Sequence, residues 1–316
     1  MRDNVLDGYA ITSQNVRYLI QEEIALKPLI ICAAVTGAMP ARSKTPHHPV
    51  TPDELAKSAA ECWKAGAAMV HLHARKEDGT TSTDVAAYRP IMERIHAARC
   101  DAILNLSAGD DGGRASHEQR WGLVEVNAEV LSLDAGPFNT GGRVYDNSPA
   151  YLKRMAQIMQ TAQVTPAIEV FEFGHMHGVR DLVRAGLLKK PYYIEFVLGT
   201  TGGLPLDERI LPVLVDQLPE GTEWSLCVKT GDAEVYQRLM FYAFTHGGHV
   251  RTGMEDMVFL TPGILAQTNA DMVAQWVKTA AIWGRPVATP DQARSILGIA
   301  AERTRSCVPG AARAAA

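Results

Sequence analysis

Two histidines separated by one residue, His71 and His73, close the apolar run Ala67-Ala68-Met69-Val70. Such a run reads as a short buried strand, in which side chains alternate between faces. Both imidazoles then leave on one side and Leu72 on the other. Their Cα atoms would sit about 6.6 Å apart, close enough to share one metal ion over bonds of about 2 Å. Near the other end of the chain His249, Arg251, Gly253 and Glu255 share one parity, which aims Glu255 at the same axis. A His-His-Glu set leaves one or two coordination positions open, as a catalytic zinc site does. Imidazole with carboxylate also suits iron, manganese or cobalt. Asp256 follows where the strand turns into its loop. An acid beside a metal and Arg251 is a candidate general base, its plainer role being to cap the next segment. A lone His-x-His is also what a satisfied core strand contains, so the elements around it must decide.

The bulk properties narrow the class. The chain has 316 residues, 47% hydrophobic and 21% charged, the balance of an ordinary globular protein. A formal charge of −4 gives no basic footprint for nucleic acid. No apolar run approaches the roughly 18 residues of a membrane-spanning helix. The first residues, with Asp3, Asp7 and Arg17, lack the pattern of a secretory signal. Five scattered cysteines (Cys32, Cys62, Cys100, Cys227 and Cys307) have neither zinc-ribbon nor redox spacing. The expectation is a soluble cytoplasmic enzyme with no nucleic-acid or membrane partner.

A strand–loop–helix unit recurs along the chain. Residues 1–27 are polar, hold a plausible helix over 16–26, and read as an extension packing outside or on a neighbouring subunit. From residue 28 to 316 the pattern predicts one catalytic domain. Strands are expected at 29–35, 67–73, 102–106, 130–133, 166–171, 192–198, 224–228 and 249–253. Helices are expected at about 52–65, 117–126, 149–161, 175–188, 207–217, 233–245 and 269–282, the first opened by the capping box Thr51-Pro52-Asp53-Glu54. Alternating strands and helices imply parallel β-α-β units, and eight in this length predict a (β/α)₈ TIM barrel. An open doubly wound sheet would want Gly-x-Gly-x-x-Gly after the first strand; here stands Thr36-Gly37-Ala38-Met39.

In such a barrel the active site lies at the C-terminal ends of the strands. The polar residues gather there: Thr36, His71, His73, Asn105, Ser107, Ser132, Asp134, Glu172, Lys229, Arg251, Glu255 and Asp256. Strand ends are polar partly because they reach solvent, which explains single residues but not two histidines and Arg-x-x-x-Glu-Asp in inward register. The glycine-rich turn with Gly199, Gly202 and Gly203 could offer backbone N–H groups to a phosphate, although such turns are common in loops. His175 and His177 read as rim residues, and His47 and His48 as loop residues.

The matching stretches resemble the zinc-dependent β-keto acid cleavage enzymes, of the 3-keto-5-aminohexanoate cleavage enzyme type. They are Ala33-Ala34-Val35-Thr36-Gly37-Ala38, Val70-His71-Leu72-His73-Ala74-Arg75, Asn105-Leu106-Ser107-Ala108-Gly109, Glu169-Val170-Phe171-Glu172, and Gly247-Gly248-His249-Val250-Arg251-Thr252-Gly253-Met254-Glu255-Asp256. The resemblance spans about residues 29–298. It implies a barrel that transfers coenzyme A from acetyl-CoA to a β-keto acid, yielding acetoacetate and a new acyl-CoA, in a homotetramer. By position His71, His73 and Glu255 correspond to zinc ligands, and Ser107, Ser132, Arg251 and Asp256 to catalytic residues. Asp256, tuned by Arg251, would take the C2 proton, with Ser107 on the oxyanion. Thr36, Met39 and Asn105 would line the substrate, and Gly199, Gly202, Gly203 and Lys229 are candidates for the cofactor phosphates.

Two departures stand out. Family members acting on amino-bearing β-keto acids carry a glutamate where Met39 stands. A buried ammonium needs an anionic partner, so the expected substrate has a distal end that is not cationic. Lys229 stands where a Gly-Arg is common; it could meet a coenzyme A phosphate or a distal carboxylate, or be an exposed strand-end lysine. Two rival functions exist. Metal-dependent hydrolases on this barrel carry His-x-His on strand 1 and need histidines or a lysine on strands 4 to 6, whereas strands 4 and 6 here hold no histidine. A non-catalytic metal- or CoA-binding barrel is the other, against which the intact Ser107, Arg251, Glu255 and Asp256 set argues.

Overall fold

The computed structural model describes residues 27–38 and 42–307. The expectations for the N-terminal extension and for Met39 lie outside these residues. Eight strands run parallel and in chain order around a closed barrel: β1 (Ile31–Ala34), β2 (Met69–Leu72), β3 (Ile103–Leu106), β4 (Val130–Asp134), β5 (Thr165–Val170), β6 (Tyr192–Leu198), β7 (Thr222–Val228) and β8 (His249–Thr252). The barrel closes where β8 pairs with β1, Cys32 lying opposite Arg251. This is the predicted (β/α)₈ architecture.

The strands read as continuous apolar runs because both faces are buried. Leu29, Ile31 and Ala33 join the cluster under the helices, whereas Ile30, Cys32, Met69, Ile103 and Tyr193 belong to a separate apolar cluster. Ala293 and Leu297 of the helix Pro290–Leu297 join that second cluster, plugging the N-terminal end of the barrel. Bulky apolar residues therefore fill the floor and leave the C-terminal mouth to polar ones.

Local signals set the helices well where caps are strong. Helix α1 (Pro52–Ala65) starts on the expected capping box, with Thr51 and Glu54 bonding reciprocally. The helices Pro149–Thr161 and Asn269–Ile282 occupy the expected spans. Three expected helices are shorter. That of 175–188 ends at Arg184. The 117–126 segment is a short helix (His117–Gly122) followed by a 3₁₀ turn, and 207–217 is a 3₁₀ turn leading into the helix Leu211–Asp216. Proline at 212 suits a first helical turn and so favours the late start.

Three small hairpins were not expected. Two flank the mouth: Ala74–Arg75 with Thr81–Ser82 after β2, and Phe138–Thr140 with Arg143–Tyr145 after β4. Their turns contain Asp78-Gly79 and Gly141-Gly142, which are hairpin signals between apolar flanks.

Candidate active site

His71 is the third residue of β2, and His73 follows one residue after the strand ends. Their rings meet edge to face, with the two Nε2 atoms 3.2 Å apart. Glu255 joins them with Oε2 3.6 Å from His71 Nε2 and Oε1 3.5 Å from His73 Nε2. Glu255 does not arrive by strand parity, as the sequence suggested. Strand β8 ends at Thr252, and Gly253, at φ +138°, turns the chain. The amides of Asp256 and Met257 then both donate to the Gly253 carbonyl. That turn sends two consecutive acids, Glu255 and Asp256, to the same guanidinium, which an extended strand could not do.

The three donors fit a metal ion. Tetrahedral bonds of about 2 Å place ligand atoms about 3.3 Å apart, and the spacings here bracket that value. Burial and then the nearby Arg251 guanidinium hold His71 well below its usual pKa, so it is neutral with a lone pair to offer. Burial opposes the charge on Glu255, but Arg251 and Lys229 outweigh it and keep the carboxyl ionised. The set is two imidazoles and a carboxylate, with the remaining directions facing a cavity. Among the described residues no other group of three such donors converges.

Arg251 organises the acids. It is buried, with Nε 2.9 Å from Asp256 Oδ2 and Nη2 2.6 Å from Glu255 Oε1. On its far side Nη1 faces Glu195 and Glu169 at 3.7 and 3.9 Å. Glu195 is itself held by hydroxyl donors from Tyr193 and Ser225, each 3.0 Å from Oε1. Lys229 is not a free strand-end lysine: its Nζ lies 3.1 Å from Glu255 Oε1 and 3.2 Å from Asp256 Oδ1. Burial works against its charge, but Cys227, Glu255 and Asp256 together push its pKa up. Asp256 is fully buried, also receives the Cys227 thiol at 3.3 Å, and does not itself line the cavity.

The other expected site residues separate into two groups. Ser107 lines the cavity and accepts the Gly109 amide at 3.3 Å. Ser132 does not line it; its hydroxyl accepts the Ala108 amide at 2.8 Å and so fixes the loop after β3. Thr36 is likewise behind the wall, between the Pro49 carbonyl at 2.8 Å and Arg75 Nε at 3.0 Å. Asn105 is completely buried beneath the cavity. In the glycine-rich turn, the Gly199 amide donates to Leu204 and the Gly203 amide to Thr200, so neither is offered to a ligand. A Cβ at Gly202 would lie 1.7 Å from the Asn139 carbonyl, so this glycine permits close packing of the β4 hairpin. From this turn it is Thr200 that lines the cavity. His175 Nε2 lies 3.2 Å from the Pro137 carbonyl, His177 pairs with Asp181 on the surface, and Glu172 does not line the cavity.

Several wall residues were not singled out from sequence, Glu169 among them, whereas Asp134 was expected at the mouth. Glu169 and Asp134 are register partners on β5 and β4, and both face the cavity. Burial, then the Asp134 charge, pushes the Glu169 carboxyl well above its usual range, so this pair retains a proton. Tyr145 donates to Asp134 at 2.6 Å, and Arg120 reaches the same oxygen at 3.2 Å. Parity could have found Glu169, because it alternates inward with Phe171 while Glu172 does not.

The cavity encloses about 380 Å³ at the mouth, from His71 and Glu255 out to Asp110, Arg114 and Arg143. Asp110 is neutralised by Arg143, whose Nη2 lies 2.9 Å away, and Asp111 accepts the Thr83 amide at 2.7 Å. Arg114 makes no ion pair among the described residues. A closed barrel with three donors that could hold a metal ion at the C-terminal ends of its strands is the frame of a barrel enzyme. The chain belongs to the beta-keto acid cleavage enzyme family, whose pattern it matches over residues 28–299. It is 34% identical to the 3-keto-5-aminohexanoate cleavage enzyme of Fusobacterium nucleatum, over 87% of this chain and 99% of that one. It is 32% identical to the 3-oxoadipate:acetyl-CoA acetyltransferase of Cupriavidus necator, over 86% and 95%. Among solved structures it shares its fold with apo ObcA, at a TM-score of 0.67 and 22% identity over 81% of this chain and 66% of that one.

Proposed function

We propose that this protein is a zinc-dependent acyltransferase that joins a β-keto acid to acetyl-CoA and cleaves the product to acetoacetate and a new acyl-CoA. The observation that carries the reading is the convergence of His71, His73 and Glu255 beside Arg251, Asp256 and Lys229, at the mouth of a barrel of this family. Acetyl-CoA as co-substrate follows the names of relatives that use it.

The ion, when bound, supplies Lewis-acid polarisation of the substrate's keto oxygen. The protein's own groups do the rest. Asp256 takes a proton from C2 once Lys229 swings from it toward the incoming carboxylate. Arg251 holds Asp256 in its reactive orientation through the Nε contact. The C2 carbanion attacks the acetyl thioester, and Ser107 donates a hydrogen bond to the oxygen on which charge develops. Coenzyme A thiolate leaves, then adds to the original ketone. The bond between that carbon and C2 breaks, and the proton held by Asp256 returns to C2, giving acetoacetate.

The cavity wall supports a substrate whose distal end is not cationic. Asp110 is paired with Arg143, and the exposed Arg114 guanidinium on the same wall disfavours a second cation there. The test is incubation with acetyl-CoA and a panel of neutral, dicarboxylic and amino-bearing β-keto acids, followed by mass spectrometry. Acetoacetate with a matching acyl-CoA is expected from a neutral or anionic member. Preference for the amino-bearing acid would overturn the specificity, and hydrolysis of ester or amide substrates instead would overturn the reaction.

A further inference from the structure

Asn105 is buried at 0% exposure, yet neither its Oδ1 nor its Nδ2 has a hydrogen-bond partner. A primary amide sealed from water without partners is costly. Strand register puts it directly opposite His71 on the neighbouring strand β2. In a parallel pair, residues in register point to the same face, so the Asn105 amide and the His71 imidazole lie side by side on the inner wall. His71 has the complementary lack: its Nε2 faces His73 and Glu255, while its buried Nδ1 has no partner. No backbone carbonyl or carboxylate takes that nitrogen among the described residues.

We infer that Asn105 is a positioning residue for His71, taking the imidazole Nδ1–H on its amide oxygen and so fixing the tautomer that leaves the Nε2 lone pair facing Glu255 and His73. Histidines that bind metals nearly always donate their other ring N–H to a carbonyl, carboxylate or water, and losing that acceptor weakens binding 10- to 100-fold. Rotation of the amide presents either end to His71, with only the oxygen end able to accept. Asn105 therefore does not touch substrate, in contrast to the substrate-contact role its position on the strand suggested; it acts through a ligand. This role rests on the metal-dependent reading of the site and assigns to its wall a residue the cavity does not expose.

The experiment measures zinc dissociation constants on metal-stripped full-length protein by competition with a chromogenic chelator, alongside thermal unfolding without metal. Asn105→Leu removes the acceptor at similar volume. It is expected to weaken zinc binding 10- to 100-fold while the metal-free protein melts at or above the wild-type temperature. Asn105→Asp, which keeps an acceptor at the same place, is expected to bind within a few-fold of wild type. Should the leucine variant misfold, Asn105→Ala serves the same comparison. Wild-type affinity in a folded leucine or alanine variant overturns the inference and leaves the metal site standing. Failure of the wild-type protein itself to take up one zinc per chain overturns the metal reading and this inference with it.

Discussion

Gly37 offers the sharpest structural test of the proposed metal site. It follows β1 at φ +63°, and a Cβ there would lie 2.4 Å from Glu255 Cγ and 3.0 Å from its Cβ and Cδ. Carbon atoms in ordinary contact are about 3.5–4.0 Å apart. In Gly37→Ala the Glu255 side chain must therefore retreat by roughly 1 Å. Its oxygens now stand 3.5 and 3.6 Å from the histidine nitrogens; a retreat of that size takes them well past the tetrahedral edge of about 3.3 Å. The left-handed backbone adds about 1–2 kcal/mol of strain for alanine. Gly284 provides the control, because it has φ +66° and nothing within 4 Å of a built Cβ. Both alanine variants are expected to lose several degrees in Tm, since about 1 kcal/mol shifts a chain of this size by roughly 2–4 °C. Only Gly37→Ala is expected to lose zinc affinity, by at least tenfold, read by chelator competition. Equal zinc affinity in the two variants would refute the placement of Glu255 as a ligand.

Other expectations follow from the same geometry. Asp256→Ala should abolish turnover while zinc content stays at wild-type level; near-normal activity would remove Asp256 from the reaction. Lys229→Met should lower kcat at least tenfold without emptying the metal site, as checked by metal analysis of the purified variant. Arg114→Glu should raise the kcat/KM for an amino-bearing β-keto acid relative to a neutral one, and an unchanged ratio would take Arg114 out of specificity. Glu169 carries a pH prediction. Its folded carboxyl is raised by burial and by Asp134, so above about pH 4.3 the unfolded chain ionises this group while the folded chain keeps its proton. That makes stability fall as pH rises through the window up to the folded value. Glu169→Gln removes the penalty, so its Tm advantage over wild type should grow with pH; a constant difference would contradict the shared proton.

Much of this arrangement was legible in the sequence, for reasons that differ from residue to residue. His71 and His73 were readable because a two-residue period on a buried strand leaves little choice of direction. The strand count gave the barrel, and the strong cap at Thr51 placed its helix. Glu255 was reached by strand parity, although a tight turn at Gly253 delivers it, and the same turn brings Asp256 to Arg251. Ser132, Thr36 and Asn105 lie one layer behind the wall, a depth that periodicity does not report. Glu169 was passed over, and Asp134 was read only as one polar strand end among many, because single acids at strand ends look like solvated termini. Their pairing depends on the register of β4 against β5, which is a long-range property. Arg114 and Arg143 sit on a loop and a hairpin whose reach toward the cavity depends on packing between hairpins.

The central claim is carbon–carbon bond exchange between two acyl partners, and isotope labelling tests it most directly. With acetyl-CoA labelled by ¹³C at both acetyl carbons and an unlabelled β-keto acid, the acetyl group should become the methyl and keto carbons of acetoacetate. Acetoacetate two mass units heavy and an entirely unlabelled new acyl-CoA are expected, with both signals lost after chelation and restored by zinc. Labelled acetate, or a label in the acyl-CoA product, would contradict the claim.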